Sequence, residues 1–290
     1  MTVIRSVLRA TAGFPARLRA IHDPPASLWV RGGASLALFD RPCLAIVGAR
    51  SCSSYGRSVA RSLAREVTAA GAVVVSGLAR GIDGEAHRGA LDAGGETVAV
   101  LGCGIDRDYP AAHRQLAAAI VESGGLIVSE YEPGTEPAPW RFPARNRIIS
   151  GVSRLVVVVE ARERSGALIT ADFALEQGRD VMAVPGEITS AASAGSNGLL
   201  RQGAAPVTRI DDVLVELGLE RRQATKAAPE LSGDEDAAKV LTALAEGELT
   251  ADELGRATGQ GPGTLGGVLS RLELAGAILA FEGRYRRQAS

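Results

Sequence analysis

The feature that most restricts the fold of this chain is a series of six short apolar runs, rich in β-branched residues and almost free of polar ones. They are Leu44-Ala45-Ile46-Val47, Val73-Val74-Val75, Thr97-Val98-Ala99-Val100-Leu101, Leu126-Ile127-Val128, Leu155 to Val159 and Val181-Met182-Ala183-Val184. A strand with one face in water alternates apolar and polar residues, whereas a strand covered on both faces does not. Between the runs lie the longer amphipathic stretches Arg57 to Ala70, Glu85 to Ala93, Ala112 to Glu122 and Gly166 to Gln177, spaced as helices laid on a sheet. Gly71, Gly94-Gly95, Gly124-Gly125 and Gly178 fall where those helices end and a left-handed residue is needed. This rhythm predicts an α/β fold, a Rossmann-like doubly wound parallel sheet.

The boundaries follow from where the rhythm stops. The sheet domain is expected over 41–218, with a short N-terminal segment over 1–40 in which Arg5 to Ile21 reads as a short helix and Asp23-Pro24-Pro25 as a turn. That segment is too small for a core of its own. Arg221 to Gly233 is polar, carries Pro229 and lacks periodicity, so 219–232 reads as a linker. Over 233–290 come three helical patterns, Glu235 to Ala245, Ala251 to Ala257 and Gly263 to Ala275. Thr250 and Glu253 have the spacing of a capping box, and Ala277 to Arg286 reads as a hairpin turning at Glu282-Gly283. This is the layout of a small C-terminal winged-helix domain.

Several classes are excluded early. No apolar run approaches the roughly eighteen residues of a membrane span, and charges interrupt the N-terminus before a secretory apolar region forms. Cys43, Cys52 and Cys103 have no CxxC spacing, and His22, His87 and His113 stand alone, so no metal site and no cofactor is expected. A reducing cytoplasm is the expected setting. The net charge of −1 does not announce nucleic acid, so the question of partner turns on where the arginines sit.

In a doubly wound sheet, ligands bind beyond the carboxyl ends of the strands. The first strand is followed by Gly48-Ala49-Arg50-Ser51-Cys52-Ser53-Ser54-Tyr55-Gly56. Small residues let backbone N–H groups approach a phosphate, hydroxyls add donors, and Arg50 can hold a phosphate bidentately. The spacing is neither GxGxxG nor GxxxxGK[ST], so the dinucleotide and nucleoside-triphosphate fingerprints are both absent. The second strand ends in Ser76-Gly77-Leu78-Ala79-Arg80-Gly81-Ile82-Asp83, and the third in Gly102-Cys103-Gly104. Asp83 reads as a helix cap, His87 as a hydrogen-bonded structural histidine, and Asp106, Asp108, Tyr109 and Pro110 as turn residues. Trp140 to Arg154 holds Arg141, Arg145, Arg147 and Arg154 with no acid. Beside Arg50 and Arg80 on one sheet edge it predicts a basic groove, with Trp140 and Phe142 as stacking surfaces or as core. Ser165-Gly166-Ala167-Leu168-Ile169-Thr170 opens a helix, Ser165 being the expected cap and the N–H groups after it another anion site.

Together these loops resemble the DNA-processing protein A (DprA, or Smf) family. The matching pieces are VGAR with its serines, SGLARGIDGEAH, TVAVLGCGIDRDYP, GGLIVSEYEPGTEP, FPARNRIISGVS, VVVVEARERSGALITADFALEQGRDVMAVPG and SNGLLRQGA, over about residues 24 to 213. The resemblance implies an extended Rossmann fold that binds single-stranded DNA, loads the RecA recombinase onto it as in natural transformation, forms a homodimer through its Rossmann domains, and catalyses nothing. It implies a DNA groove built from Arg50, Arg145-Asn146 and Ser165-Gly166. With the loop reading, the expected DNA contacts are Gly48, Arg50, Ser51, Ser53, Gly77, Arg80, Gly102, Arg145, Asn146, Arg147, Ser165, Gly166 and Thr170. Many members carry an N-terminal domain of the sterile-alpha-motif type, for which the chain before the first strand is too short. The third helix of the C-terminal domain opens with Gly263, Thr264, Gly266, Gly267 and Ser270 and has Arg271 as its one basic residue, so its opening lacks the Arg, Asn or Gln that a base-reading helix usually presents. Two other readings stay open: a nucleotide phosphoribohydrolase, with Glu130 or Glu160 as its carboxylate, and a nucleotide-sensing winged-helix regulator.

Overall fold

The computed structural model describes residues 3–221, 235–245, 247–274, 277–281 and 283–287. Most of the expected linker, and Glu282 of the expected hairpin turn, lie outside the described residues. The chain divides into two compact units, residues 1–222 and 223–290.

In the first unit the elements run β1 (Ile4–Leu8), α1 (Ala16–Arg19), β2 (Ser27–Arg31), β3 (Cys43–Val47), α2 (Ser54–Ala69), β4 (Val73–Ser76), α3 (Ile82–Asp92) and β5 (Thr97–Leu101). Then follow α4 (Arg114–Glu122), β6 (Leu126–Ser129), α5 (Arg141–Val152), β7 (Leu155–Val158), α6 (Gly166–Glu176), β8 (Asp180–Ala183), α7 (Ala194–Arg201), β9 (Ala205–Pro206) and α8 (Ile210–Leu217). The strands form one nine-stranded sheet in the order β1-β2-β6-β5-β4-β3-β7-β8-β9. All pairings from β6 to β9 are parallel. The six apolar runs are the parallel strands β3 to β8, each fully buried except for Asp180. Alternate residues serve opposite faces: Ala45 and Val47 pack with α5 and α6, while Leu44 and Ile46 pack with α2, α3 and α8. Positive φ angles at Gly71, Gly94, Gly124 and Gly178 end the helices as the sequence predicts.

The N-terminal segment differs from the expectation. Arg5 to Ile21 is not one helix; β1 takes its start, and only the four residues of α1 are helical. β1 pairs antiparallel with β2, and β2 with β6, so residues 1–40 extend the large sheet. The cause is a period of two: Leu28 and Val30 are buried and their neighbours in β2 are not. Helix α2 starts at Ser54, earlier than the apolar pattern suggests, because the Ser53 hydroxyl accepts from the Gly56 N–H at 3.0 Å and caps it.

The second unit contains α9 (Glu235–Ala243), β10 (Leu249–Thr250), α10 (Ala251–Thr258), α11 (Pro262–Leu274), β11 (Ile278–Phe281) and β12 (Arg284–Arg287), with its sheet in the order β10-β12-β11. Val240, Leu254, Leu265, Val268, Leu272 and Ile278 form its core. Thr250 and Glu253 make the predicted capping box, with Thr250 N–H donating to the Glu253 carboxylate at 2.8 Å. In neither unit is a described helix long and apolar enough to cross a membrane.

Candidate functional site

Strand order reverses at β3, whose successor β4 lies on one side while β7 lies on the other. Loops leaving such neighbouring strands diverge and leave a crevice at their carboxyl ends. A cavity of about 240 Å³ opens there. Its lining brings together Gly48, Arg50, Arg145, Asn146, Ser165, Gly166 and Thr170 from the expected set, with Asp83 and Phe142 among their neighbours. Ser51, Ser53, Gly77, Arg80, Gly102 and Arg147 do not line it.

The loop after β3 is held from below by Glu160, 3 % exposed at the end of β7. Ala49 N–H donates to the Glu160 carbonyl at 2.7 Å, and Ser53 N–H to its carboxylate at 2.8 Å. A Cβ at position 48 would sit 2.6 Å from Ile82 Cγ1, so Gly48 is needed for packing as well as for approach to a ligand. Arg50 stands at the cavity mouth, exposed, its guanidinium 5.4 Å from the Phe142 ring centroid. Among the described residues no carboxylate comes within ion-pairing distance of it.

The loop after β4 corrects the sequence reading. Leu78 has φ +58° although it is a buried, bulky residue, a conformation held by its surroundings. The Asp83 carboxylate accepts from Gly77 N–H at 3.1 Å and Ala79 N–H at 3.4 Å, and His113 Nδ1 donates to the Leu78 carbonyl at 2.9 Å. The backbone concavity expected to cradle a phosphate is filled by the protein's own anion. Asp83 therefore closes a loop and does not cap α3, whose N-cap is Gly81. Burial pushes the Asp83 carboxyl up, against the opposing pull of Arg145 and the two N–H groups. Gly77 provides the space: a Cβ there would lie 2.7 Å from both terminal nitrogens of Arg145 and from Asp83 Oδ2. Gly102 similarly makes room for Phe142, 2.8 Å from where its Cβ would be. Arg80 is exposed beside this loop.

The basic segment at α5 separates into different roles. Arg145 is 4 % exposed and donates through Nη1 to the carbonyls of Gly77, at 2.8 Å, and Val100. Burial brings its pKa down to about 10, so it is a cation at neutral pH, and its Nε–H has no hydrogen-bond partner among the described residues. Asn146 donates to the Gly166 carbonyl at 3.0 Å and ties α5 to the start of α6, which Ser165 caps. Arg147 is turned away. It grips the Glu130 carboxylate with Nη1 at 2.8 Å and Nη2 at 2.7 Å, and reaches Asp23 at 3.0 Å. It is a structural cation and not part of the cavity. We expect Arg147→Gln to lower unfolding free energy by about 1.5–3 kcal/mol, the worth of charged hydrogen bonds, and to leave oligo-dT affinity unchanged in a filter-binding assay. A loss of affinity greater than that of Arg50→Ala would contradict this assignment.

Both carboxylates of the hydrolase reading are already engaged, Glu130 by Arg147 and Glu160 by the loop it clamps. His87 is buried, as the structural reading requires. Thr97 gives its proton to the Val74 carbonyl, so His87 Nδ1 is the donor in the 2.8 Å bond between them. Desolvation pushes its pKa down to about 3. Sequence reasoning passed over two aromatic neighbours. Tyr109, read as a turn residue, stacks on Phe142 at 5.2 Å, and Tyr131 lies under the Arg141 guanidinium at 5.0 Å. The described residues contain no cluster able to hold a metal ion.

The sequence model of the family described as DNA recombination-mediator protein A matches residues 5–218, and that of the DprA winged helix domain matches residues 222–284. The chain belongs to the DprA family. Among its DprA relatives, the DNA processing protein DprA of Mycobacterium tuberculosis is 42 % identical, covering 96 % of this chain and 72 % of the relative. Protein Smf of Escherichia coli is 40 % identical, with 94 % and 75 % covered. The crystal structure of DprA from Streptococcus pneumoniae superposes with a TM-score of 0.69 at 42 % identity, over 76 % of this chain and 75 % of that one. DprA from Helicobacter pylori, whose structure is described as giving insight into a single-stranded DNA binding mode, superposes with a TM-score of 0.66 at 30 % identity, over 74 % and 95 %.

Proposed function

We propose that this DprA-family protein binds single-stranded DNA along the carboxyl edge of its large sheet, protects the strand, and helps load the RecA recombinase onto it, acting as a homodimer joined through the Rossmann-like domains. The observation that carries the reading is Arg50: an exposed guanidinium, in no ion pair with a carboxylate among the described residues, at the mouth of a cavity that also holds Arg145 and the opening of α6. Its contacts would go to phosphates, which every sequence shares. A cavity of about 240 Å³ is small beside the roughly 300–1,000 Å³ of sites that enclose a whole small molecule, and it suits part of a strand passing across it. The single-stranded DNA binding mode of the Helicobacter pylori relative supports the same reading.

Arg50→Ala should weaken oligo-dT binding by roughly ten- to a hundred-fold, the loss of one charge-assisted contact, with no change in thermal midpoint because the side chain is exposed. If about four phosphates are contacted per protomer, log K falls against log salt with a slope near −3, from about −0.7 per phosphate of a single strand. The deciding experiment is a gel shift of poly-dT against duplex of matched length, with and without RecA. Preference for the single strand and faster RecA filament growth on protein-coated DNA are expected. Equal affinity for duplex overturns the single-strand assignment, and an unchanged RecA rate overturns the mediator role.

A further inference from the structure

We propose that Trp140 and Arg141 form a base-stacking platform for single-stranded nucleic acid, outside the cavity on the first turn of α5; the proposal rests on the single-strand reading above. Trp140 is 63 % exposed. One exposed ring is ordinary on a protein surface; what distinguishes Trp140 is the cation and the second ring set against it. The chain has two tryptophans, and the other, Trp29, is packed against the core in β2.

Trp140 is also held in place. The Arg141 guanidinium lies 4.8 Å from its ring centroid and 5.0 Å from that of Tyr131, so one cation bridges two rings. Arg141 donates to the Glu136 carbonyl, and its Nε–H has no hydrogen-bond partner among the described residues. The Glu136 carboxylate is taken by Arg107 at 2.6 Å. Arg141 therefore keeps an uncompensated charge among the described residues while its orientation is fixed. Two residues along, Phe142 lines the cavity, and Tyr109 at 5.2 Å and the Arg50 guanidinium at 5.4 Å lie against its ring. The first turn of α5 thus carries two arginine–aromatic stacks. One lies at the cavity mouth, and in the other the Trp140 ring is exposed to solvent. A strand whose phosphates meet Arg50 and leave the cavity past Phe142 can lay its next base on Trp140 and its next phosphate on Arg141. Ring face and cation side by side are the chemistry of a sequence-tolerant single-strand contact.

The test uses the full chain with Trp29→Phe, which leaves Trp140 as the one fluorescent tryptophan, and two ligands: oligo-dT of about twenty nucleotides, longer than typical single-strand footprints, and an abasic oligodeoxynucleotide of the same length. Oligo-dT should quench Trp140 fluorescence and the abasic strand should not. Trp140→Ala, a substitution at an exposed position, should weaken oligo-dT roughly tenfold, as expected for one lost stacking contact, and leave the abasic affinity unchanged. Binding of oligo-dT with unaltered Trp140 fluorescence and equal affinity for Trp140→Ala overturns the platform and leaves the phosphate site standing. Equal weakening of both strands by Trp140→Ala also overturns it, since the residue would then act through the fold. If neither strand binds the parent protein, the single-strand reading falls and the platform with it. If Trp140→Ala alters self-association but not DNA affinity, the surface is a protein contact.

Discussion

Arg145→Ala is expected to lower the unfolding free energy by about 3–5 kcal/mol, the usual cost of stripping one partner from a buried charged cluster, and to abolish oligo-dT binding with it. The guanidinium sits 4 % exposed between the ends of β4 and β5, donating to the Gly77 and Val100 carbonyls. Without it, the Asp83 carboxylate stays buried with two N–H groups and the Arg50 charge to hold it. The acid then has reason to take up a proton, because burial already pushes it up and Arg145 is the foremost influence holding it down. That gives a distinctive signature. Asp83→Asn in the Arg145→Ala background should recover part of the lost stability, while Asp83→Asn alone should destabilise, so the double-mutant cycle closes with a large coupling. Urea midpoints at constant slope measure it. Additive losses would mean that the two side chains do not act on each other, and the account of the loop would be wrong.

The cycle also shows which parts of the site a sequence can reveal. Arg145 and Arg147 are two residues apart in one basic segment, and nothing in the string separates them. On α5 they point about 200° apart. One meets the strand ends, and the other meets Glu130 and Asp23, the latter 124 residues earlier in the chain. Tertiary partners at that distance decide the roles. Asp83 is a similar case. An Asp just after a glycine loop and before a helix reads as a cap, and only the left-handed backbone of Leu78 turns the Gly77 and Ala79 N–H groups onto it. By contrast, the parallel strands were legible because burial on both faces leaves an unbroken apolar record. The cavity's place followed from the rule that ligands sit at the carboxyl ends of such strands. β2 was less legible: five residues with two buried positions give a short period-two signal, and its partner β6 lies about a hundred residues away.

A second large effect is expected from a residue that carries no charge. Gly81 has φ +74° and ψ −129°. A Cβ there would lie 2.2 Å from the Ala49 carbonyl oxygen and 2.7 Å from that of Arg50. This is where the loop after β4 leans backbone to backbone on the loop after β3, joined by the Ile82 N–H bond to the Ala49 carbonyl at 3.2 Å. Gly81→Ala combines a backbone conformation unfavourable to L-residues with an overlap that no rotamer relieves, together about 2–6 kcal/mol. The relief open to the protein is to push the Arg50 loop outward. Oligo-dT affinity should therefore fall at least as far as in Arg50→Ala, even at temperatures where circular dichroism shows the variant folded. Gly124→Ala is the control: its φ of +84° carries the same kind of backbone cost, about 1–2 kcal/mol, but the nearest atom to its Cβ is 3.7 Å away on a flexible side chain. It should lose stability and keep its affinity. If folded Gly81→Ala binds as tightly as the parent protein, the contact between the two loops does not position Arg50. If both glycine variants lose affinity in proportion to stability, binding depends on general rigidity and not on this contact.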